Sequence, residues 1–204
     1  MTHAIDLKTM ERKAYLSYHQ DGLLDLGLGL LILAVGIGWA VGMPWLLGVF
    51  FAVGIPSYGA AKKILTIPRL GLVHFGPDRQ RRVKREISFF LIYFTITAML
   101  GVVMLFLVTA VNRSPEGFGR LLEKFIMAPP GILVAIAFAA LAYWKQVNRY
   151  YVHAVLLLIA IFGGPLLGID RPVYFSAAGA AIMLAGLAVL IRFLRAYPLP
   201  EKEA

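Results

Sequence analysis

Two carboxylates open the first apolar segment of this chain, and they are the residues whose spacing most suggests chemistry. Asp21 and Asp25 lie four residues apart in the stretch YHQDGLLDLGLG, which runs from Tyr18 to Gly29. Side chains at i and i+4 share one face of an α-helix, so we expect both carboxylates on the same side. Such a pair can bind a cation, carry a proton or hold a basic side chain.

Other reactive groups do not form recognisable patterns. The chain has no cysteine, which excludes a disulfide framework, a thiolate nucleophile and a thiolate metal site. Its four histidines contain no pair at i and i+4 that would bind a metal, and no hydrolase, metalloprotease or nucleotide-binding motif occurs. The sequence therefore predicts no catalytic residue, no metal site and no cofactor.

Apolar residues come in six long blocks that set the fold class. The chain is 60% hydrophobic and 15% charged, with a mean hydropathy of +0.77. A membrane-spanning helix needs about 20 apolar residues, and six blocks approach that length: Leu23–Val41, Trp45–Ala61, Ile87–Val111, Ala128–Trp144, Val152–Leu167 and Val173–Leu194. We expect an all-α polytopic membrane protein, a bundle of six transmembrane helices.

The basic residues predict the topology. With the N-terminus inside and six alternating spans, every Lys and Arg lies on the inner side except Arg113, Arg120, Lys124 and Arg171. This asymmetry follows the positive-inside rule, so both termini are expected in the cytoplasm. The net charge of +9 then reflects topology and lipid head groups, not nucleic acid. The expected domains are a cytoplasmic segment (1–22), one membrane domain (23–195) and a cytoplasmic tail (196–204).

Within this topology, Asp21 and Asp25 lie near the inner surface. Asp21 complements the positive end of the helix dipole. Asp25 lies one turn deeper, where a carboxylate must be paired, hydrated or protonated. On a helical wheel it shares a face with Gly29 and Gly36, which predicts that the face packs against protein, because glycines in spanning helices mark close helix contacts. The expected polar pocket, beneath spans one and five, comprises His19, Asp21, Asp25, Arg149 and His153.

This pocket has two interpretations. In the functional one, it binds a cation, a proton or an anionic head group. In the structural one, Asp25 forms an interfacial salt bridge that fixes the register of neighbouring helices. The sequence leaves both open.

Two loops carry further predictions. Residues 115–127 should form an amphipathic helix on the outer membrane surface. The cytoplasmic loop 62–86 should end in a helix that Asp78 caps and that runs unbroken into span three. Its basic cluster either binds anionic lipid head groups or forms a solvated collar; the cluster comprises Arg79, Arg81, Arg82, Lys84 and Arg85.

A short pattern, G-x-P-x-x-G, occurs in spans two and five. It predicts paired helix breaks, as in transporters built from inverted repeats, or ordinary packing and helix ends. The residues of this pattern that we single out are Gly54, Pro56, Ser57, Tyr58, Gly163 and Pro165.

The stretches DGLLDLGLGLLIL and PRLGLVHFGPDRQ resemble a group of uncharacterised bacterial multi-pass inner-membrane proteins, over about residues 15–85. The resemblance implies a bacterial inner membrane and no particular chemistry.

These observations leave three function classes. The first is a small permease, channel or transporter subunit. The second is a non-catalytic membrane partner or assembly subunit. The third, ranked below both, is an intramembrane enzyme that modifies lipids. The expected partners are the bilayer and its anionic head groups, and either a homo-oligomer or a partner membrane subunit is compatible with the sequence.

Overall fold

The computed structural model describes residues 17–43, 45–70, 77–111 and 128–199, and within these ranges the chain is helical without a strand. The predicted outer helix 115–127 lies outside the described residues. After a helical turn that ends at His19, the elements are α1 (Leu23–Ala40), α2 (Leu46–Ala61), a π-helical segment (Lys62–Thr66), α3 (Ile67–Leu70), α4 (Pro77–Val111), α5 (Ala128–Lys145), α6 (Arg149–Leu166) and α7 (Arg171–Ala196).

Five helical stretches in the described part of the chain are long and apolar enough to cross a membrane. They are Ser17–Ala40, Val83–Val103, Ala128–Lys145, Arg149–Leu166 and Arg171–Ala196. The predicted second span corresponds to α2, which has only 16 residues as an α-helix. Its backbone stays helical through the π-helical segment and α3 as far as Leu70.

Helix α4 joins the predicted helix at the end of the cytoplasmic loop, which carries the basic cluster and which we call the stem, to the predicted third span. It runs for 35 residues without a break, so the expected continuous helix is confirmed. It begins at Pro77, which makes Asp78 a residue of the first turn instead of the cap. Proline is suited to the first helical position because it has no N–H to leave unpaired there.

The chain divides into two compact units. The first comprises residues 1–74, 145–147 and 170–204, and therefore contains α1, α2, the π-helical segment, α3 and α7. The second comprises residues 75–144 and 148–169, and contains α4, nearly all of α5, and α6.

In the first unit, α1 and α7 pack antiparallel through glycines at intervals of seven residues. Gly29 of α1 lies against Gly179 of α7, and a Cβ on either glycine would lie 2.9 Å from the carbonyl oxygen of the other. Seven residues further along α7, a Cβ on Gly186 would lie 2.7 Å from the Leu26 nitrogen of α1. The two backbones are thus in direct contact, as in small-residue packing between membrane helices.

In the second unit, α5 and α6 pack closely where Gly131 faces Ile161. Helix α4 contacts α5 through aromatic rings, with the Phe89 and Trp144 centroids 4.5 Å apart at an angle of 72°. Further along α4, the side chains of Leu91, Ile92 and Phe94 are exposed.

Candidate functional site

The first unit contains a buried ion pair. Lys62 Nζ lies 2.6 Å from Asp21 Oδ2, and the two side chains keep only 5% and 1% of their exposed surface. A pair this shielded is weakly screened by solvent. Losing either partner would leave an uncompensated buried charge, which is strongly unfavourable.

Asp21 has two further hydrogen-bond donors. The Thr66 hydroxyl donates to Asp21 Oδ2 at 2.6 Å, and the Leu23 backbone N–H donates to Oδ1 at 3.2 Å. The bend at Gln20–Gly22 makes the second bond feasible, because it interrupts the helix between His19 and Leu23. Gly22 has φ +77°, a conformation that favours glycine. The carboxylate is therefore held by backbone geometry as well as by Lys62.

The Lys62 ammonium is surrounded by oxygen and aromatic groups. It donates a hydrogen bond to the Tyr18 carbonyl. It also lies 4.1 Å from the centroid of the Tyr18 ring and 5.8 Å from that of the Tyr58 ring. Aromatic faces within about 6 Å attract a cation through the ring quadrupole. We call the set of Tyr18, Asp21, Tyr58, Lys62 and Thr66 the polar cluster.

The π-helical segment carries two members of this cluster at its ends. Lys62 and Thr66 are buried, whereas the intervening Lys63 and Ile64 are exposed. A π-turn inserts extra backbone into a helix and changes which side chains share a face, and such turns are frequent at functional sites. Here the turn coincides with the two residues that bind Asp21.

An apolar groove adjoins the polar cluster. It has a volume of about 420 Å³ and is lined by α1 from Leu23 to Leu31, by α2 from Phe50 to Ala61, and by Met183 of α7. At 1.5 Å per residue, its α1 wall is about 12 Å long. Gly27, Leu30 and Ser57 in its lining are exposed, so the groove is open at the surface of the unit. We call it the α1–α2 groove.

The groove and the polar cluster share a boundary. Tyr58 lines the groove, and its ring lies 5.8 Å from Lys62 Nζ. Leu23 also lines the groove, and its N–H binds Asp21. A molecule in the groove would therefore have an apolar body beside leucines and glycines. Its end near Leu23 and Tyr58 would be separated by these two residues from the Asp21–Lys62 pair, which does not itself line the groove.

Compared with known proteins, the chain matches no family model, no curated protein and no solved structure.

Among the predicted carboxylates, Asp25 is fully buried in α1. A Cβ on Gly186 of α7 would lie 2.8 Å from the Asp25 Cβ, so the glycine-containing face of α1 packs against protein as expected. Whether Asp25 has a functional or a structural role stays open.

The other members of the predicted pocket lie in different places. His19, two residues before Asp21, is half-buried, and its ring is edge-on to that of Tyr18 with a centroid distance of 5.3 Å. Arg149 and His153 belong to α6 in the second unit. There His153 is buried edge-on to Phe138, with centroids 6.0 Å apart. The pocket beneath spans one and five combines residues of both units and stays a prediction.

The residues of the G-x-P-x-x-G pattern also separate. Gly54, Ser57 and Tyr58 line the groove, and Pro56 is an exposed residue inside α2. Gly163 and Pro165 lie at the end of α6, where Leu167 N–H donates to the Gly163 carbonyl at 2.9 Å. Next to it Gly168 has φ +69°, which is a common way for a helix to end.

The basic cluster of the α4 stem is described in part. The side chains of Arg81, Lys84 and Arg85 are exposed. Those of Arg79 and Arg82 are not among the side chains that the structure describes. Within the described part of the chain, no three His, Asp or Glu side chains form a group that could hold a metal ion.

Sequence reasoning missed Lys62 and Thr66, because it ended span two at Ala61 and assigned Lys62 to the basic inner loop. A signal was present. The spacing is four residues between Tyr58 and Lys62 and again between Lys62 and Thr66. Residues at this spacing lie along one side of a helical run. Extending the helix past the apolar block would have revealed this polar stripe.

Proposed function

We propose that this chain is an integral membrane protein that binds a small, largely apolar molecule in its first unit, as a small permease or transporter subunit. The observation that carries this proposal is the α1–α2 groove of about 420 Å³ next to the buried Asp21–Lys62 pair. Ligand sites in proteins are typically concave, about 300–1,000 Å³ in volume, and mostly apolar with a few orienting polar groups. The groove and the polar cluster have these properties.

The proposed topology is six helices in a bacterial inner membrane, with both termini in the cytoplasm. The distribution of Lys and Arg supports it. For the second span, we assign the helical run from Leu46 to Thr66, which at 1.5 Å per residue is long enough for a hydrocarbon core of about 30 Å. This assignment puts Asp21 and Lys62 near the cytoplasmic ends of their spans. It also puts the basic stem of α4 near anionic lipid head groups.

The surroundings of the groove favour a ligand that dissolves in the bilayer. Its lining consists of apolar residues and glycines, with Ser57 and the hydroxyl of Tyr58 as polar groups. The groove is open beside Gly27 and Ser57. At the assigned depth, this opening faces acyl chains. A permease of this design would move a membrane-soluble molecule between the acyl-chain region and the polar cluster at the cytoplasmic surface.

The test is photoaffinity labelling of the purified protein in lipid nanodiscs with an uncharged alkyl alcohol that carries a diazirine. We expect saturable cross-links on Leu23–Leu31 and Phe50–Ala61, competed by the unlabelled alcohol. Gly54→Leu should remove most of this labelling, because a Cβ at Gly54 meets no atom within 4 Å and the larger side chain would fill the groove. Labelling that free alcohol does not compete would mean that bilayer lipid alone occupies the groove, which would overturn the proposal.

The matched control is Gly59→Leu. Gly59 lies on the same helix, and a Cβ there also meets no atom within 4 Å, but Gly59 does not line the groove. The proposal requires normal labelling in this variant. Equal labelling of the two variants would contradict the proposal.

Helix α4 favours a second candidate, a membrane partner or assembly subunit. Only 6% of its apolar window Val83–Val103 is buried inside the protein. Leu91, Ile92 and Phe94 follow almost consecutively and are all exposed, so several sides of the helix are available for a neighbour. Co-purification of a stoichiometric membrane protein that Phe94→Ala releases would support this candidate, and a monomeric, partner-free particle in mild detergent would exclude it.

A further inference from the structure

We infer that the ligand of the α1–α2 groove is an amphiphile with a single cationic head, of which a long-chain alkylammonium is the simplest form. Its head would replace the Lys62 ammonium beside Asp21, and its tail would lie in the groove. The inference rests on the proposed function and names the class of ligand.

The groups around Lys62 Nζ contact its ammonium, so they would bind any primary ammonium and not lysine alone. They include the Asp21 carboxylate at 2.6 Å, the Tyr18 carbonyl, and the rings of Tyr18 and Tyr58 at 4.1 and 5.8 Å. Carboxylate and carbonyl oxygens accept N–H donors, and aromatic faces attract cations of any origin. An alkylammonium offers the same charge and the same N–H donors as the lysine side chain.

The two partners of the ion pair differ in their freedom to move. Asp21 has a short side chain that Leu23 N–H and Thr66 also hold. The adjacent Gly22 is packed against α7, because a Cβ there would lie 2.8 Å from the Leu190 nitrogen. Lys62 has a flexible four-carbon stem, so its ammonium can change position by side-chain rotation without a movement of the backbone. The cation is therefore the exchangeable partner, whereas an anionic head would have to displace the fixed carboxylate.

Exchange of one ammonium for another keeps the Asp21 carboxylate paired with a positive charge, while the displaced Lys62 ammonium has to move to the cytoplasmic head-group region. A ligand without positive charge that displaced Lys62 would leave Asp21 buried and unpaired, which is strongly unfavourable. A cationic head avoids this state, while its tail makes packing contacts with the leucines that line the groove. Tyr58 lies at the right place to contact both parts, since it lines the groove and faces the ammonium.

The experiment uses three diazirine probes with the same decyl chain: an ammonium, an alcohol and a carboxylate. In nanodiscs of a neutral lipid, we expect the ammonium to label the groove at the lowest concentration. Asp21→Asn should abolish this preference over the alcohol. Lys62→Gln should increase the apparent affinity for the ammonium about tenfold or more, because a tethered ammonium that occupies the site about 90% of the time reduces apparent affinity by that factor.

A second variant keeps the test valid if the ion-pair variants do not fold. Tyr58→Leu keeps the groove apolar and retains both Asp21 and Lys62, and it should lower the ratio of ammonium labelling to alcohol labelling several-fold. Its matched control is Tyr151→Leu, which replaces an exposed tyrosine of α6 that does not line the groove.

The outcomes separate the inference from the proposed function. Equal labelling by all three probes would overturn the cationic class and leave the proposed groove in place. Preferential labelling by the carboxylate, lost in Lys62→Gln, would assign the site to anionic amphiphiles and overturn the inference. Absence of saturable labelling by every probe would overturn both proposals.

Discussion

Lys62 and Asp21 form an ion pair with an N–O distance of 2.6 Å, and both side chains are almost completely shielded from solvent. The pair ties the bend that precedes α1 to the π-helical segment that follows α2. The α1 wall of the groove ends at Leu23 and the α2 wall ends at Ala61, which are two residues and one residue away from the pair. We therefore expect loss of the pair to alter this end of the groove as well as the stability of the first unit.

Replacement of Lys62 by glutamine should destabilise the protein by about 3–5 kcal/mol, because it leaves the Asp21 carboxylate buried without its counter-charge. The neighbouring Lys63 is exposed, so Lys63→Gln is the matched control and should change stability by less than about 0.5 kcal/mol. Unfolding by SDS in mixed micelles measures both values. Similar effects of the two substitutions would mean that Lys62 is solvated like Lys63.

Thr66→Val should destabilise the protein by about 1.5–3 kcal/mol, because valine keeps the shape of threonine but cannot donate to the Asp21 carboxylate. Thr95 is a suitable comparison, since its exposed hydroxyl donates to the Leu91 carbonyl of its own helix at 3.0 Å and not to a buried charge. Thr95→Val should be nearly neutral in the same unfolding assay. An unchanged midpoint for Thr66→Val would show that the hydroxyl does not bond a buried charge.

Gly29→Ala should destabilise the first unit by about 1–3 kcal/mol, because the added methyl overlaps the backbone of Met183 and forces α1 and α7 apart. Gly27→Ala is the control on the same helix, since a Cβ there meets no atom within 4 Å. It should be neutral or slightly stabilising, because alanine has the higher helix propensity. Thermal unfolding in detergent compares the two, and a more harmful Gly27→Ala would contradict the α1–α7 packing.

Single cysteines test the six-span topology cleanly, because the chain has none of its own. Met43→Cys and Ile169→Cys, at exposed positions, should react with a membrane-impermeant maleimide from outside. Lys63→Cys and Leu199→Cys should react only after the inner membrane is opened. Reaction of Met43→Cys and Lys63→Cys from the same side would show that α2 does not cross the membrane.

The sequence was sufficient to predict helices, the unbroken helix through α4 and the buried face of α1. Period and composition determine these features: Asp25, Gly29 and Gly36 fall on one side of a helix, and all three are buried. The identity of the helix that covers this face could not be predicted. Gly179 and Gly186 of α7 form a small-residue face with the same seven-residue spacing, but such a face fits a neighbour in the same chain and a second copy equally well.

The pairing of Lys62 with Asp21 could not be predicted, for a different reason. A lysine that follows an apolar block is usually part of the positively charged inner collar, and Lys62 has the sequence context of such a residue. Its burial depends on the π-turn at Lys62–Thr66 and on the bend at Gly22, which together direct two short polar segments toward each other. Neither backbone feature has a reliable local signature, whereas the spacing of Tyr58, Lys62 and Thr66 indicated a shared face.

The central claim, that Asp21 and Lys62 act as one buried unit, is tested most directly by a double-mutant cycle on the free energy of unfolding. The cycle compares Asp21→Asn, Lys62→Gln and the double variant with the original protein. We predict that the double variant is more stable than the sum of the single effects implies, with a coupling energy of about 1.5–3 kcal/mol. Single effects that add to within about 0.5 kcal/mol would contradict the ion pair and the site built on it.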